Sequence, residues 1–256
     1  MRLVIKVGTS TLAHSTGKLN IRRVEVLCKV ISDLKNAGHE IVLVSSGAIG
    51  MGVGKLNLTA RPCDMPTKQA AAAVGQCELM YTYDKLFSQY NHVVAQILVT
   101  GDDIEHPVRR EHFINTMERL IRLGALPVIN ENDTVATAEI AVGDNDTLAA
   151  IVAVNAGAEL LVLLTDIDGL YSADPKICPY AKLIPFVEDI DDDIRALAGG
   201  AGSSLGTGGM ATKIRAAQIC TNDGVDVVIA NGADPAILYD IVGGTAKCTL
   251  FRGKNR

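Results

Sequence analysis

"LAAIVAVNAGAELLVLL", residues 148–164, is the most apolar stretch of the chain, and its reading decides the fold. Taken as one segment it approaches the length of a bilayer-spanning helix. Asn155, Gly157 and Glu159 interrupt it, so it reads better as a helix, a glycine stop and a buried strand. A strand apolar on both faces belongs in a parallel sheet covered by helices.

The same alternation extends in both directions. "LVIKV" (3–7), "EIVLVSS" (40–46), "HVVAQILVT" (92–100), "ALPVIN" (125–130), "ELLVLLT" (159–165) and "VDVVIA" (225–230) read as strands. Between them lie helices such as 22–38 and 110–124, each ending at a glycine. This order predicts an α/β fold with a mostly parallel sheet and right-handed crossovers. No Pro-rich, Ser-rich or charge-block linker interrupts it, which predicts one domain over 1–256. Sites are expected where loops leave the carboxyl ends of strands.

The bulk numbers narrow the function. The chain is 48% hydrophobic with a mean hydropathy of +0.23, drawn from aliphatic residues rather than aromatics. A net charge of −5 with no basic cluster argues against nucleic acid as a partner. The six cysteines form no Cys-x-x-Cys pair, which argues against zinc and for buried thiols. "MRLVIKVG" is too short and too charged for a signal peptide, so a cytoplasmic protein without a membrane segment is expected.

Five segments carry candidate chemistry. In "KVGTST", Lys6 sits inside an apolar strand. Buried there it needs an anion, with Gly8 and Thr9 adding donors for a phosphate; on an edge strand it would face water. "SSGAIGMGVGK" is a glycine-rich strand-to-helix turn without a Walker A pattern, as compatible with packing as with an anion. "TDIDGLYSADP" is made of ordinary turn residues, but its place after an apolar strand makes Thr165 and Asp166 candidate nucleotide contacts.

"GTGGMATK" (206–213) fits G-x-G-x-x-A but does not follow a strand, so it fails as a dinucleotide fingerprint. It reads as a glycine loop opening a helix with Lys213 in its first turn. Lysine there opposes the helix dipole unless a phosphate occupies the N-terminus. Thr207, Gly208, Gly209, Met210, Ala211 and Thr212 would then line the same site. Last, "NENDTVATAEIAVGDNDTLAA" (130–150) crowds Glu131, Asp133, Glu139, Asp144 and Asp146 together with no Lys or Arg. Its tripeptide Asn-Asp-Thr occurs twice. Such crowding suits a cation: a metal, a basic partner or an ammonium group.

In order and spacing, KVGTS, SSGAIG, NEND with VGDND, TDIDGLY and GTGGMATK resemble the amino acid kinase family across essentially the whole chain. "KQAAAAVGQ" (68–76) and the acidic stretch are particularly similar to members that phosphorylate glutamate. The resemblance implies a three-layer αβα sandwich and phosphoryl transfer from ATP, with Mg²⁺, to the side-chain carboxylate of L-glutamate. Aspartate or uridylate as acceptor, or a non-catalytic sensor, are the alternatives.

The resemblance assigns catalysis to Lys6, Asp146 and Lys213, with Asp146 holding both lysines. It assigns the amino acid to Ser46, Asp133 and Asn145, with Asp144 near its ammonium, and leaves no direct protein ligand to the metal. It also implies feedback by L-proline, a homo-oligomer and hand-over to glutamyl phosphate reductase. Many such members continue into a PUA domain, which this sequence lacks.

Overall fold

The computed structural model describes residues 1–14, 18–60, 62–136, 144–198 and 209–254. Eight strands form one sheet: β1 (Arg2–Val7), β2 (Glu40–Ser45), β3 (Val94–Val99), β4 (Leu126–Glu131), β5 (Leu160–Thr165), β6 (Phe186–Val187), β7 (Asp226–Asn231) and β8 (Cys248–Phe251). Their order is β3-β4-β2-β1-β5-β7-β8-β6. Every pairing among them is parallel except β7 with β8.

Helices cover both faces. α1 (Thr9–Leu12), α2 (Ile21–Asn36), α3 (Ala48–Lys55), α4 (Met65–Ser88) and α10 (Ile237–Gly243) lie on one side. α5 (Gly101–Glu105), α6 (Pro107–Arg122), α7 (Asn145–Asn155), α8 (Asp192–Ala198) and α9 (Met210–Asn222) lie on the other. Two apolar clusters fill the layers, and the strands feed them alternately. Leu3, Ile5 and Val7 enter one cluster while Val4 enters the other, as the period of two in a strand requires. The architecture is the expected αβα sandwich.

The deciding stretch resolves as read. α7 stops at Asn155, Gly157 takes φ +56 and β5 begins at Leu160. No helix among the described residues is long and apolar enough to cross a membrane. The other strand and helix bounds lie within two residues of expectation, except that α6 begins at Pro107, three residues before the expected start. Buried thiols are found at Cys28 and Cys220, whereas Cys63 and Cys77 are exposed.

The glycine-rich turn after β2 needs two readings. Gly47 adopts φ +105, a left-handed conformation that lets β2 turn into α3. Gly52 instead serves packing, because a Cβ there would sit 1.7 Å from the Ala71 carbonyl oxygen of α4. Gly75 on α4 mirrors it, 1.7 Å from the Ala48 carbonyl oxygen. The backbones of α3 and α4 are in direct contact, which only glycine permits.

Candidate active site

β1 is a central strand, between β2 and β5, with Lys6 level with Val44 and Leu163. Lys6 therefore cannot reach water sideways, and it is buried on the face covered by α7. The edge-strand alternative is excluded. Its charge is met by Asp146, whose Oδ1 lies 2.7 Å from Lys6 Nζ.

Asp146 comes from the first turn of α7, where a carboxylate also complements the helix dipole. Its Oδ2 accepts from Lys213 Nζ at 3.0 Å. The Thr212 hydroxyl lies 2.8 Å from that oxygen and from the Gly209 carbonyl. Lys213 stands in the first turn of α9, so the N-termini of α7 and α9 meet over the end of β1. Asp146 is only 1% exposed. Burial by itself would raise its carboxyl, but the two ammonium charges and their hydrogen bonds outweigh that and hold it at about 2. Asp146 is thus clasped by two ammonium groups, one from β1 and one from α9.

Beside this triad lies a chain of neutral polar groups. Asn145, first residue of α7, donates from Nδ2 to Ser46 Oγ at 2.8 Å and to Asn130 Oδ1 at 3.0 Å. Asn130, next to last in β4, donates from Nδ2 to Gln76 Oε1 of α4 at 2.9 Å. Ser46 follows β2 directly. The structure thus joins Ser46 to Asn145 as expected, and adds Asn130 and Gln76, which sequence reading missed.

Asp133 lies in the turn after β4, partly buried, with no hydrogen-bond or ion-pair partner among the described residues. Burial pushes its carboxyl above the ordinary carboxylate value. A desolvated carboxylate without a cation is an affinity for one. Asp144 has a structural task as well. Its two oxygens accept from the Thr147 N–H (2.7 Å) and hydroxyl (2.9 Å), making it the N-cap of α7. Asp144-x-x-Thr147 is an N-cap signal visible in the sequence. It positions Asn145 and Asp146 rather than presenting an unengaged carboxylate.

The remaining candidates divide. Gly8 leaves β1 toward α1. Thr165 ends β5, buried, with its hydroxyl 3.2 Å from Asp166 Oδ1; Asp166 itself is exposed. Gly209 caps α9, and Met210, Ala211 and Thr212 form its first turn. All lie at the carboxyl edge of the sheet or at the α9 terminus facing it. Thr207, Gly208 and Glu139 lie outside the described residues. Among the described residues no cluster of three His, Cys, Asp or Glu could hold a metal. Asp146 is already shared between two lysines, so a divalent ion fits here only with oxygens brought by a ligand.

Residues 1–231 match the amino acid kinase family. A glutamate 5-kinase of Caldanaerobacter subterraneus subsp. tengcongensis is 52% identical, over 98% of this chain and 68% of its own length. A glutamate 5-kinase of Clostridium acetobutylicum is 51% identical over 100% of this chain and 96% of its own. The fold is shared with the carbamate kinase from Giardia lamblia bound to AMP-PNP, with a TM-score of 0.69 at 18% identity and 98% coverage of both chains. Two basic side chains clasping one buried aspartate at the mouth of a parallel sheet thus occur in a sequence matched almost end to end, and the chain belongs to the amino acid kinase family.

Proposed function

We propose that this chain transfers the γ-phosphoryl group of ATP to the side-chain carboxylate of L-glutamate, giving ADP and L-glutamyl 5-phosphate, the entry to proline synthesis in the cytoplasm. The observation that carries the reading is the Lys6–Asp146–Lys213 triad set against the Ser46–Asn145–Asn130 chain.

The division of labour follows from charge. A glutamate side chain has an ordinary pKa of about 4.3, so the acceptor is ionised at neutral pH and no general base is required. A carboxylate oxygen forms the new P–O bond as the bond to the ADP oxygen breaks. The chemical problem is negative charge on the moving phosphoryl and the leaving ADP. Lys6 and Lys213 supply positive charge, and Asp146 fixes both ammonium groups so that neither must reorganise during the reaction. Gly8, Thr165, Asp166 and the start of α9, with Thr207 and Gly208 leading into it, hold the nucleotide. Mg²⁺ would come with ATP, with Asp146 already engaged by the lysines, and would supply further shielding of the phosphate charge.

Asp133 faces the amino acid's ammonium group, with Ser46 and Asn145 reading the rest. L-Proline presents the same α-carboxylate and a cationic amine but no side-chain carboxylate, so it occupies this site unproductively. The acyl phosphate is labile, which favours direct hand-over to glutamyl phosphate reductase. Residues 1–256 work as one kinase domain in a homo-oligomer.

The test is ATP turnover with L-glutamate, L-aspartate and uridylate in parallel, trapping acyl phosphate with hydroxylamine as the hydroxamate. Glutamate-dependent hydroxamate is expected. Turnover with another acceptor alone, or with none, refutes the reading.

A further inference from the structure

α4 presents three polar side chains at seven-residue intervals, about two helical turns apart: Gln69, Gln76 and Tyr83. Each is bonded to a different segment of the amino acid side of the site. Gln69 Nε2 donates to the Ala136 carbonyl at 3.3 Å. Gln76 Oε1 accepts from Asn130 Nδ2 at 2.9 Å. The Tyr83 hydroxyl lies 2.8 Å from Ser45 Oγ, next to Ser46. Gln76 and Tyr83 are buried, on a helix whose other buried residues are alanine, glycine, leucine and phenylalanine.

The middle contact has a direction. Asn130 Oδ1 accepts from the Glu131 backbone N–H at 2.9 Å, so that end of the Asn130 amide must be oxygen. Its other end is then a donor, and it meets Gln76 Oε1. The same Asn130 oxygen accepts from Asn145 Nδ2. Both Asn145 amide hydrogens are thereby committed, one to Asn130 and one to Ser46. At the Asn145–Ser46 end, what remains unbonded among the described residues is the Asn145 carbonyl oxygen and the Ser46 hydroxyl proton. An ammonium group requires an acceptor and a carboxylate requires a donor, and the chain leaves one of each.

Packing alone does not account for Gln76. Its Nε2 is buried without a partner, so this side chain costs free energy that a methionine of similar size would avoid. The return is the acceptor it gives Asn130.

We propose that Gln76 is a positioning residue for the amino acid. By holding the Asn130 amide it fixes the polarity of the Gln76–Asn130–Asn145–Ser46 chain, so that Asn145 offers oxygen and Ser46 offers a proton. This inference rests on glutamate being the acceptor.

The test is steady-state kinetics on the full chain with Gln76→Met and Gln76→Glu, following hydroxamate formation, with thermal melting as the control for folding. Gln76→Met removes the acceptor and should raise the glutamate KM roughly ten-fold, the scale of one oriented hydrogen bond. The ATP KM and kcat should stay within about two-fold, because the lysine triad is untouched. Gln76→Glu keeps an acceptor oxygen, protonated or not, and should restore the glutamate KM to within about three-fold of the parent. If the Met variant does not fold, Gln76→Ser, too short to reach Asn130, replaces it. An unchanged glutamate KM overturns the proposal. So does equal damage by both substitutions, or parallel loss in ATP KM and kcat, since each means that Gln76 only fills space. Failure of the parent chain to turn over glutamate refutes the function itself, which separates the two ideas.

Discussion

The tripeptide Asn-Asp-Thr occurs at 132–134 and again at 145–147, and the two copies meet opposite fates. In the first, Asp133 sits in a turn, half-buried, with no cation beside it, and its carboxyl is pushed up. In the second, Asp146 opens a helix between two lysines, and its carboxyl is held at about 2. The residues are identical, but Asp146 is 1% exposed and clasped by two cations, whereas Asp133 is only partly buried and meets no cation among the described residues. A carboxylate already matched by two cations is a fixture that aligns them, whereas one left unmatched is a receptor for a cation from outside. Under the proposed function, the same three letters would supply a catalytic clasp in one place and a substrate contact in the other.

Breaking the matched copy should have the largest effect. Lys213→Ala removes one of the two charges facing the transferring phosphoryl group, so kcat should fall roughly 10²-fold or more with little change in glutamate KM. Steady-state kinetics check this, and near-normal kcat would remove Lys213 from the mechanism. Breaking the unmatched copy should act on a different parameter. Asp133→Ala is expected to raise the glutamate KM by roughly ten-fold to a hundred-fold with ATP KM nearly constant. A collapse of ATP affinity instead would place Asp133 on the nucleotide side.

Acid titration sharpens the contrast. The folded Asp146 carboxyl lies below its ordinary value of 3.8, so the stability it contributes is complete above about pH 4 and lost as pH falls toward 2. The loss is about 2 kcal/mol, read as a fall in denaturant midpoint that Asp146→Asn flattens. An equally steep acid limb in that variant would show that other carboxylates carry it. Asp133 has the opposite sign: its burial penalises the ionised form. Asp133→Asn should therefore raise Tm at pH 7 by about 1–2 °C while weakening glutamate binding, the trade-off of a site held ready for its ligand. A lowered Tm would mean that Asp133 already has a cationic partner.

L-Proline gives the mildest perturbation. As a ligand for the unmatched copy alone, it should raise the apparent glutamate KM without changing the rate at saturating glutamate. Titrating glutamate at several fixed proline concentrations tests this, and a fall in the saturating rate would move proline to another site.

The sequence made the sheet legible because buried parallel strands are short apolar runs, and 148–164 separates into helix and strand at a single glycine. The edge was harder to read. β6 has two residues and β8 four, too few for a period to show. Lys6 and Lys213 stood out because a charge in an apolar strand, or against a helix dipole, is a local contradiction. Asp146 held no such contradiction and was identified by resemblance alone. The cap role of Asp144 was legible as Asp-x-x-Thr before an apolar helix, a signal set aside in favour of the acidic crowding. Gln76 entered only as the last residue of the resembling stretch KQAAAAVGQ, with no role attached, since a glutamine in an alanine-rich helix has the pattern of a surface position. Its meaning depends on Asn130, a contact across 54 residues of chain.

The glycine contact between α3 and α4 has a consequence for altering this protein. A seam in which backbone touches backbone has no side-chain layer to absorb a displacement. α3 begins two residues after Ser46, and α4 carries Gln69, Gln76 and Tyr83, so both helices shift together or not at all. An attempt to retune the acceptor by single substitutions at Ser46 or Asn145 works against a frame set from behind. Changing what the enzyme phosphorylates would be done more readily by transplanting residues 46–88 as one cassette, glycines included, than by editing the pocket one side chain at a time.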